Sequence, residues 1–166
     1  MKKSRLVLAA VTAGALTMAT NPLLAALGGS PVTTSLPISA NIQPLCTVSA
    51  APVAFGTYDP TANSDQNGTI TIQCTKDTSA TISLDEGNAP AGRQMAGPGT
   101  DILNYELYSD NAGGTVWGSG SGGTTVAYNA ANSSPTVLTV YGRIPLGQTN
   151  AGVGAYSDTV TVTVTF

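Results

Sequence analysis

The sequence predicts an all-β protein built as a sandwich, and three observations predict it. Beyond the first 28 residues no stretch carries apolar residues at helical spacing, while Gly, Thr, Ser, Asn and Val dominate. Short runs with strict period-two alternation recur along the chain. Turn-forming clusters separate these runs at short intervals, which favours a sandwich over a barrel.

In chain order, the opening "MKKSRLVLAAVTAGALTMAT" has a basic start (Lys2, Lys3, Arg5), an apolar run from Leu6 to Leu16 and small residues after it. That is the pattern of a secretory signal peptide, with an apolar run too short to span a bilayer. Small residues at Ala26 and Gly28 favour cleavage before Gly29, with Thr17-Met18-Ala19 as a competing site, so residues 1–28 are read as the signal. Residues 29–45 come next as an arm. In it Val32, Thr34, Leu36, Ile38, Ala40 and Ile42 alternate with Thr33, Ser35, Pro37, Ser39 and Asn41, which is strand-like and amphipathic. Pro37 cannot donate to a ladder, a loss that edge strands and inserted segments tolerate. The arm could be an ordinary first strand, but Gln43, Pro44 and Leu45 leave little chain for reversing onto the strand that begins near Cys46.

From Cys46 to Phe166 the alternation marks a domain. "GTITIQC" places Ile70, Ile72 and Cys74 on one face, and "SATISLDEG" does the same with Ala80, Ile82 and Leu84. Asn67-Gly68 and Asp85 to Asn88 read as turns. "DILNYELYSD" reads as one strand presenting Leu103, Tyr105 and Leu107. "TVWG", "TTVAYN" and "PTVLTVYGRI" supply further strands, the last with Leu138, Val140 and Ile144. The final run, "YSDTVTVTVTF", sets Val160, Val162, Val164 and Phe166 on one face against threonines on the other.

The two cysteines, Cys46 and Cys74, lie in a chain addressed to an oxidising compartment and are expected to form a disulfide. Two cysteines without any histidine cannot supply the usual zinc ligands. Removal of residues 1–28 leaves three basic residues against nine acidic ones, a net charge of −6. That balance argues against nucleic acid and anionic lipid as partners, and no membrane insertion of the mature chain is expected.

Absent histidine, every Ser-His and Cys-His catalytic arrangement is excluded, and adjacent Asp85 and Glu86 are explained as turn residues. Lys76 reads as a solvated charge. "NSDQNG" (63–68) resembles half of a calcium loop, but Cys74 stands where a bidentate glutamate is required, so it reads as a polar loop. "GSGSGG" (118–123) matches a dinucleotide-binding glycine pattern without the helix that should come after it, and reads as a hairpin loop. The sequons at Asn67 and Asn132 read as turns. No enzymatic activity, catalytic residue, metal or cofactor is expected.

A series of short motifs then carries a resemblance: "FGTY" (55–58), the cysteine pair, "LNYELY" (103–108), Trp117-Gly118, "VYGRI" (140–144), Gly147-Gln148 and "GAYSDTVTVTVTF" (154–166). In this order they resemble the spore coat protein U domain family, which includes subunits of archaic, Csu-type chaperone-usher pili. The resemblance implies an incomplete immunoglobulin-like β-sandwich completed by donor-strand complementation. It implies that Val160, Val162, Val164 and Phe166 wall an acceptor groove and form the chaperone-binding strand. Val32, Thr34, Leu36, Ile38, Ala40 and Ile42 are then the donor strand for a neighbour. The implied partners are a periplasmic pilus chaperone, an outer-membrane usher and neighbouring pilin subunits. The implied route is export to the periplasm and assembly into a surface fimbrium that supports adhesion and biofilm formation. Two other readings are a self-complemented secreted spore-coat or cell-surface protein and a minor or tip adhesin.

Overall fold

The computed structural model describes residues 29–88, 92–118 and 123–166. The signal peptide expected over 1–28 lies outside them, as does most of the glycine-rich loop, 119–122. The chain divides into two units, Met1–Ser39 and Ala40–Phe166. In the first, residues 29–39 have no assigned strand, and their side chains are exposed. An alternating sequence is only a capacity for strand formation, since the ladder bonds must come from a second strand.

In the second unit, the described residues form strands β1 (Cys46–Ala51), β2 (Ser64–Cys74), β3 (Ser79–Leu84), β4 (Gln94–Ala96), β5 (Ile102–Asn104), β6 (Glu106–Tyr108), β7 (Val126–Asn129), β8 (Thr136–Ile144) and β9 (Val162–Thr165). No helix is assigned among them. One sheet has the order β1-β2-β8-β6, a second β7-β3-β9, and β4 and β5 form a small ribbon. Their pairings are antiparallel. Alternation sorts the side chains: Ile70, Ile72, Val140, Ile144 and Leu107 of the first sheet meet Ala80, Ile82, Leu84 and Tyr128 of the second in one core. Trp117, 1% exposed, is part of this core and donates its indole N–H to Ile82 O at 3.0 Å. Satisfying that donor is what permits so large an amphipathic ring to be buried.

Cys46 and Cys74 are directly opposite in the β1–β2 ladder and are joined by a disulfide. Three local expectations are corrected. Asn67-Gly68 is not a turn, and 63–68 is not a loop over most of its length: β2 begins at Ser64, and Asn67 and Gly68 pair with Tyr141 and Val140 of β8. Gly68 is there because a Cβ would lie 2.8 Å from both Ala51 O and a Val53 methyl. It serves a close approach of backbones rather than a turn conformation. The run 101–110 is not one strand either. Tyr105 interrupts it, with its N–H on Arg93 O, so that β5 pairs with β4 while β6 joins β8 in the large sheet. Of "TVWG", Val116 and Trp117 make only isolated bridges.

Candidate functional site

Two strands at the edges of the sandwich have core-facing positions that are incompletely covered. β9 pairs with β3 along one side, placing Val162 opposite Leu84 and Val164 opposite Ile82. Residues directly opposite in an antiparallel ladder share a face. Leu84 and Ile82 are 2% and 0% exposed, whereas Val162 and Val164 are only half-buried. β1 repeats the pattern. Val48 lies opposite Ile72 and Ala50 opposite Ile70, both isoleucines fully buried, yet Val48 is 42% exposed and Ala50 is exposed too.

A groove of about 1030 Å³ lies in this region. Ala50 to Tyr58, at the end of β1 and beyond it, form part of its lining, as do Ala151 to Asp158 with Val160 and Val162 leading into β9. Core side chains Ile70, Leu84, Leu103, Leu107, Val140 and Ile144 also line it. The Phe55 and Tyr105 rings meet edge to face with centroids 6.4 Å apart. Tyr58 OH donates to Pro145 O at 2.7 Å and accepts from the Gln148 N–H, anchoring "FGTY" to the chain after β8. On the opposite wall Tyr156 OH donates to Gly152 O at 2.8 Å, and the Gly152 N–H donates to Asp101 Oδ2 at 3.0 Å. These bonds fix the loop before β9. The lining is predominantly apolar, a surface suited to covering by apolar side chains rather than to chemistry.

Of the residues named from the sequence, Val160 and Val162 line the groove, Val164 packs half-buried on the core, and Phe166 is 56% exposed. In the first unit Val32, Leu36 and Ile38 are 99%, 82% and 89% exposed, and Thr34 is exposed. Ala40 and Ile42, in the second unit, are exposed without strand assignment. Sequence reasoning missed Val53 and Phe55, whose signal was alternation in "APVAFGTY", and Met95, which carried no signal.

At one end the groove meets a polar cluster. Arg93, 6% exposed, pairs with Glu106 and donates to Asp85 O at 2.9 Å and Trp117 O at 2.6 Å. Asp85 Oδ1 accepts from the N–H groups of Thr161 at 2.8 Å and Gly87 at 3.0 Å. Asp158 Oδ1 accepts from the N–H groups of Asn88 at 2.9 Å and Thr159 at 2.7 Å, while Oδ2 accepts from Tyr105 OH at 2.7 Å. Burial pushes both carboxyl groups upward, but their hydrogen bonds outweigh it and hold both below the ordinary carboxylate range. Burial and the neighbouring Asp158 push the Tyr105 hydroxyl up, keeping it a donor. Gly87 has φ +78° and sits where a Cβ would strike the Asp158 carboxylate, so the Asp85–Asn88 turn requires glycine there.

An antiparallel sandwich in which two of the edge strands, β1 and β9, leave core positions half open defines an immunoglobulin-like domain with an apolar groove at its edge. The chain belongs to the Spore Coat Protein U domain family, whose profile matches residues 32–163. It is similar over its whole length to Protein U of Myxococcus xanthus, at 33% identity over 186 aligned positions covering 100% of both chains. Among solved structures it is similar to the CsuC–CsuE chaperone-tip adhesion subunit pre-assembly complex from archaic chaperone-usher Csu pili of Acinetobacter baumannii. That match has a TM-score of 0.56 and 27% identity and covers 75% of this chain. The chain spans 40% of the matched chain's length.

Proposed function

We propose that the protein is a structural subunit of an archaic chaperone-usher pilus, exported to the periplasm and assembled at the cell surface by donor-strand exchange. The observation that carries this reading is the apolar groove lined by Ala50 at the end of β1 and by Val160 and Val162 at the start of β9, beside edge positions Val48 and Val164 whose core faces no strand among the described residues covers. Family membership and the similarity to a chaperone–subunit complex support it. On this reading residues 46–166 are the acceptor domain, and residues 29–45 are a donor arm for the next subunit. A periplasmic chaperone fills the groove first, and an outer-membrane usher exchanges it for the neighbour's arm. Main-chain hydrogen bonds give affinity, and alternate side chains set the register. The role is structural rather than enzymatic, and the assembled fibre supports attachment and biofilm formation.

Four or five apolar side chains of an inserted strand, at roughly 1.5 to 3 kcal/mol each, contribute on the order of 6 to 15 kcal/mol before the cost of ordering the arm. The test is coexpression with a Csu-type chaperone of the mature chain and of a variant lacking residues 30–42. The deletion should still form a one-to-one chaperone complex and should fail to build subunit ladders on unheated gels. Leu36→Asp with Ile38→Asp should behave like the deletion, whereas Ser35→Asp with Ser39→Asp, on the opposite face, should be milder. A deletion that cannot bind chaperone would mean that the arm completes its own domain. One that still forms ladders would mean that another surface joins subunits.

A further inference from the structure

The polar cluster at the end of the groove does something that the Asp85–Asn88 turn alone does not require: it extends the acceptor edge by side-chain bonding. The β3–β9 register pairs Leu84 with Val162, so the next opposed pair is Asp85 with Thr161. There the Asp85 N–H donates to Thr161 O at 3.1 Å, and the return bond runs from the Thr161 N–H to the Asp85 carboxylate at 2.8 Å. A side-chain oxygen thus replaces the backbone acceptor that a regular ladder would supply. Three residues earlier, Asp158 ties the same segment to the Asp85–Asn88 turn through the Asn88 N–H and, through Tyr105 OH, to the aromatic pair lining the groove. Asp158 is the one charged side chain among the described residues lining the groove. β9 is four residues long and paired along one side, which leaves it open to fraying.

We propose that Asp85, Tyr105 and Asp158 are positioning residues that clamp the start of β9, keeping Val160 and Val162 in a strand-accepting register before any donor arrives. The proposal rests on the acceptor-groove reading. The clamp acts through main-chain placement; its residues fix the wall against which an incoming strand pairs. Local opening of β9 would leave fewer molecules competent to capture a strand, lowering apparent affinity by the fraction closed.

Tyr105→Phe removes the bond to Asp158 and keeps the ring. Tyr58→Phe is the matched control, since it also removes a hydroxyl bond of a groove-lining tyrosine, to Pro145 O, without touching the β9 segment. Two measurements on the mature chain decide the matter. In amide hydrogen exchange of the dilute protein, a peptide covering 157–166 should exchange about five- to tenfold faster in Tyr105→Phe and unchanged in Tyr58→Phe. Binding of a synthetic peptide of residues 30–42 should weaken by a similar factor in Tyr105→Phe alone. Asp85→Ala should match Tyr105→Phe, and Asp85→Asn, which keeps an acceptor oxygen, should be partly restored. Equal effects of the two tyrosine variants, or unchanged exchange at 157–166, overturn the clamp while leaving the groove reading intact. Faster exchange with unaltered peptide binding shows that the clamp holds β9 without serving capture, which also overturns the proposal. Failure of the wild-type chain to bind the peptide overturns the groove reading itself, and with it the purpose assigned to the clamp.

Discussion

Gly68→Ala should destabilise the domain, although alanine is ordinarily better than glycine inside a strand. Gly68 lies in the middle of β2 opposite Val140, and its φ is not in the left-handed region, so the backbone itself would accept alanine. The obstacle is space. A Cβ would sit 2.8 Å from Ala51 O, 2.8 Å from a Val53 methyl and 3.1 Å from the Pro52 carbonyl carbon. Two of these are backbone atoms, so the chain at 51–53 must retreat by roughly half an ångström or more to restore ordinary contact distances. Overpacking of this kind costs about 1 to 3 kcal/mol. Relief of glycine's chain entropy returns roughly 0.5 to 1 kcal/mol, leaving a net loss of about 0 to 2.5 kcal/mol, with a midpoint near 1 kcal/mol. Guanidinium titration with the disulfide intact, comparing wild type and variant in the same assembly state, measures it directly. Peptide binding should weaken as well, because Ala51 to Val53 line the groove. A variant more stable than wild type would refute the reasoning, since the gain would show that the wall moves aside without cost.

Cys46→Ser should lower stability by roughly 3 to 4 kcal/mol on the chain-entropy estimate for a cross-link between residues 28 apart; a periplasmic yield equal to wild type would count against that. Val162→Asp places a carboxylate on the half-buried core face of β9 and should cost at least about 2 kcal/mol. Normal accumulation of that variant without a chaperone would argue for a self-supporting edge. Asp65, Asp85 and Asp158 are all held below the ordinary carboxylate range, Asp65 chiefly by its bond from Arg143, and Asp85 and Asp158 against the upward push of burial, Asp85 by its bonds from Thr161 and Gly87 and Asp158 by its bonds from Asn88, Tyr105 and Thr159. Their contribution is therefore fully present above the unfolded value of about 4. It is lost as pH falls through the lower folded values, and Tm should drop on acidification from pH 5 to 3. A flat or rising Tm over that interval would contradict the assignment.

How much was legible from sequence depended on whether one residue type had one physical use. "TITIQC" was readable because a strand with one buried face must alternate, and Ile70, Ile72 and Cys74 are all buried. The cysteine pair was readable because compartment and count left few alternatives. Asn67-Gly68 misled because glycine answers two different demands, a turn conformation and a close backbone approach, and only the position of Ala51 and Val53 tells them apart. The run 101–110 misled because alternation continues unbroken through Tyr105 while the backbone bonds pass from one partner strand to another. Arg93 offered no signal, since its burial depends on carbonyls of Asp85 and Trp117 that folding brings to it. The groove was only partly visible: its β9 wall is an alternating run, but the other wall and the polar end come from loops whose placement the tertiary fold determines.

The exposure of Val48, Ala50, Val162 and Val164 has a direct energetic meaning for the proposed assembly. Their cross-strand partners Ile72, Ile70, Leu84 and Ile82 are fully buried, so at these pairs the sandwich is closed on the inner strand and open on the edge strand. Such a rim favours a covering strand with apolar side chains on one face and polar ones on the other, because the outer face meets solvent. The segment from Val32 to Ile42 has that alternation, with Pro37 among its polar-face residues. A proline there forfeits at most one ladder bond, a net loss of about 1 kcal/mol. The apolar face contributes on the order of 6 to 15 kcal/mol. In the proposed joint the apolar face, with Leu36 and Ile38 flanking the proline, would outweigh that loss. Restoring the missing N–H by Pro37→Ala should change fibre stability far less than removing either neighbour's side chain.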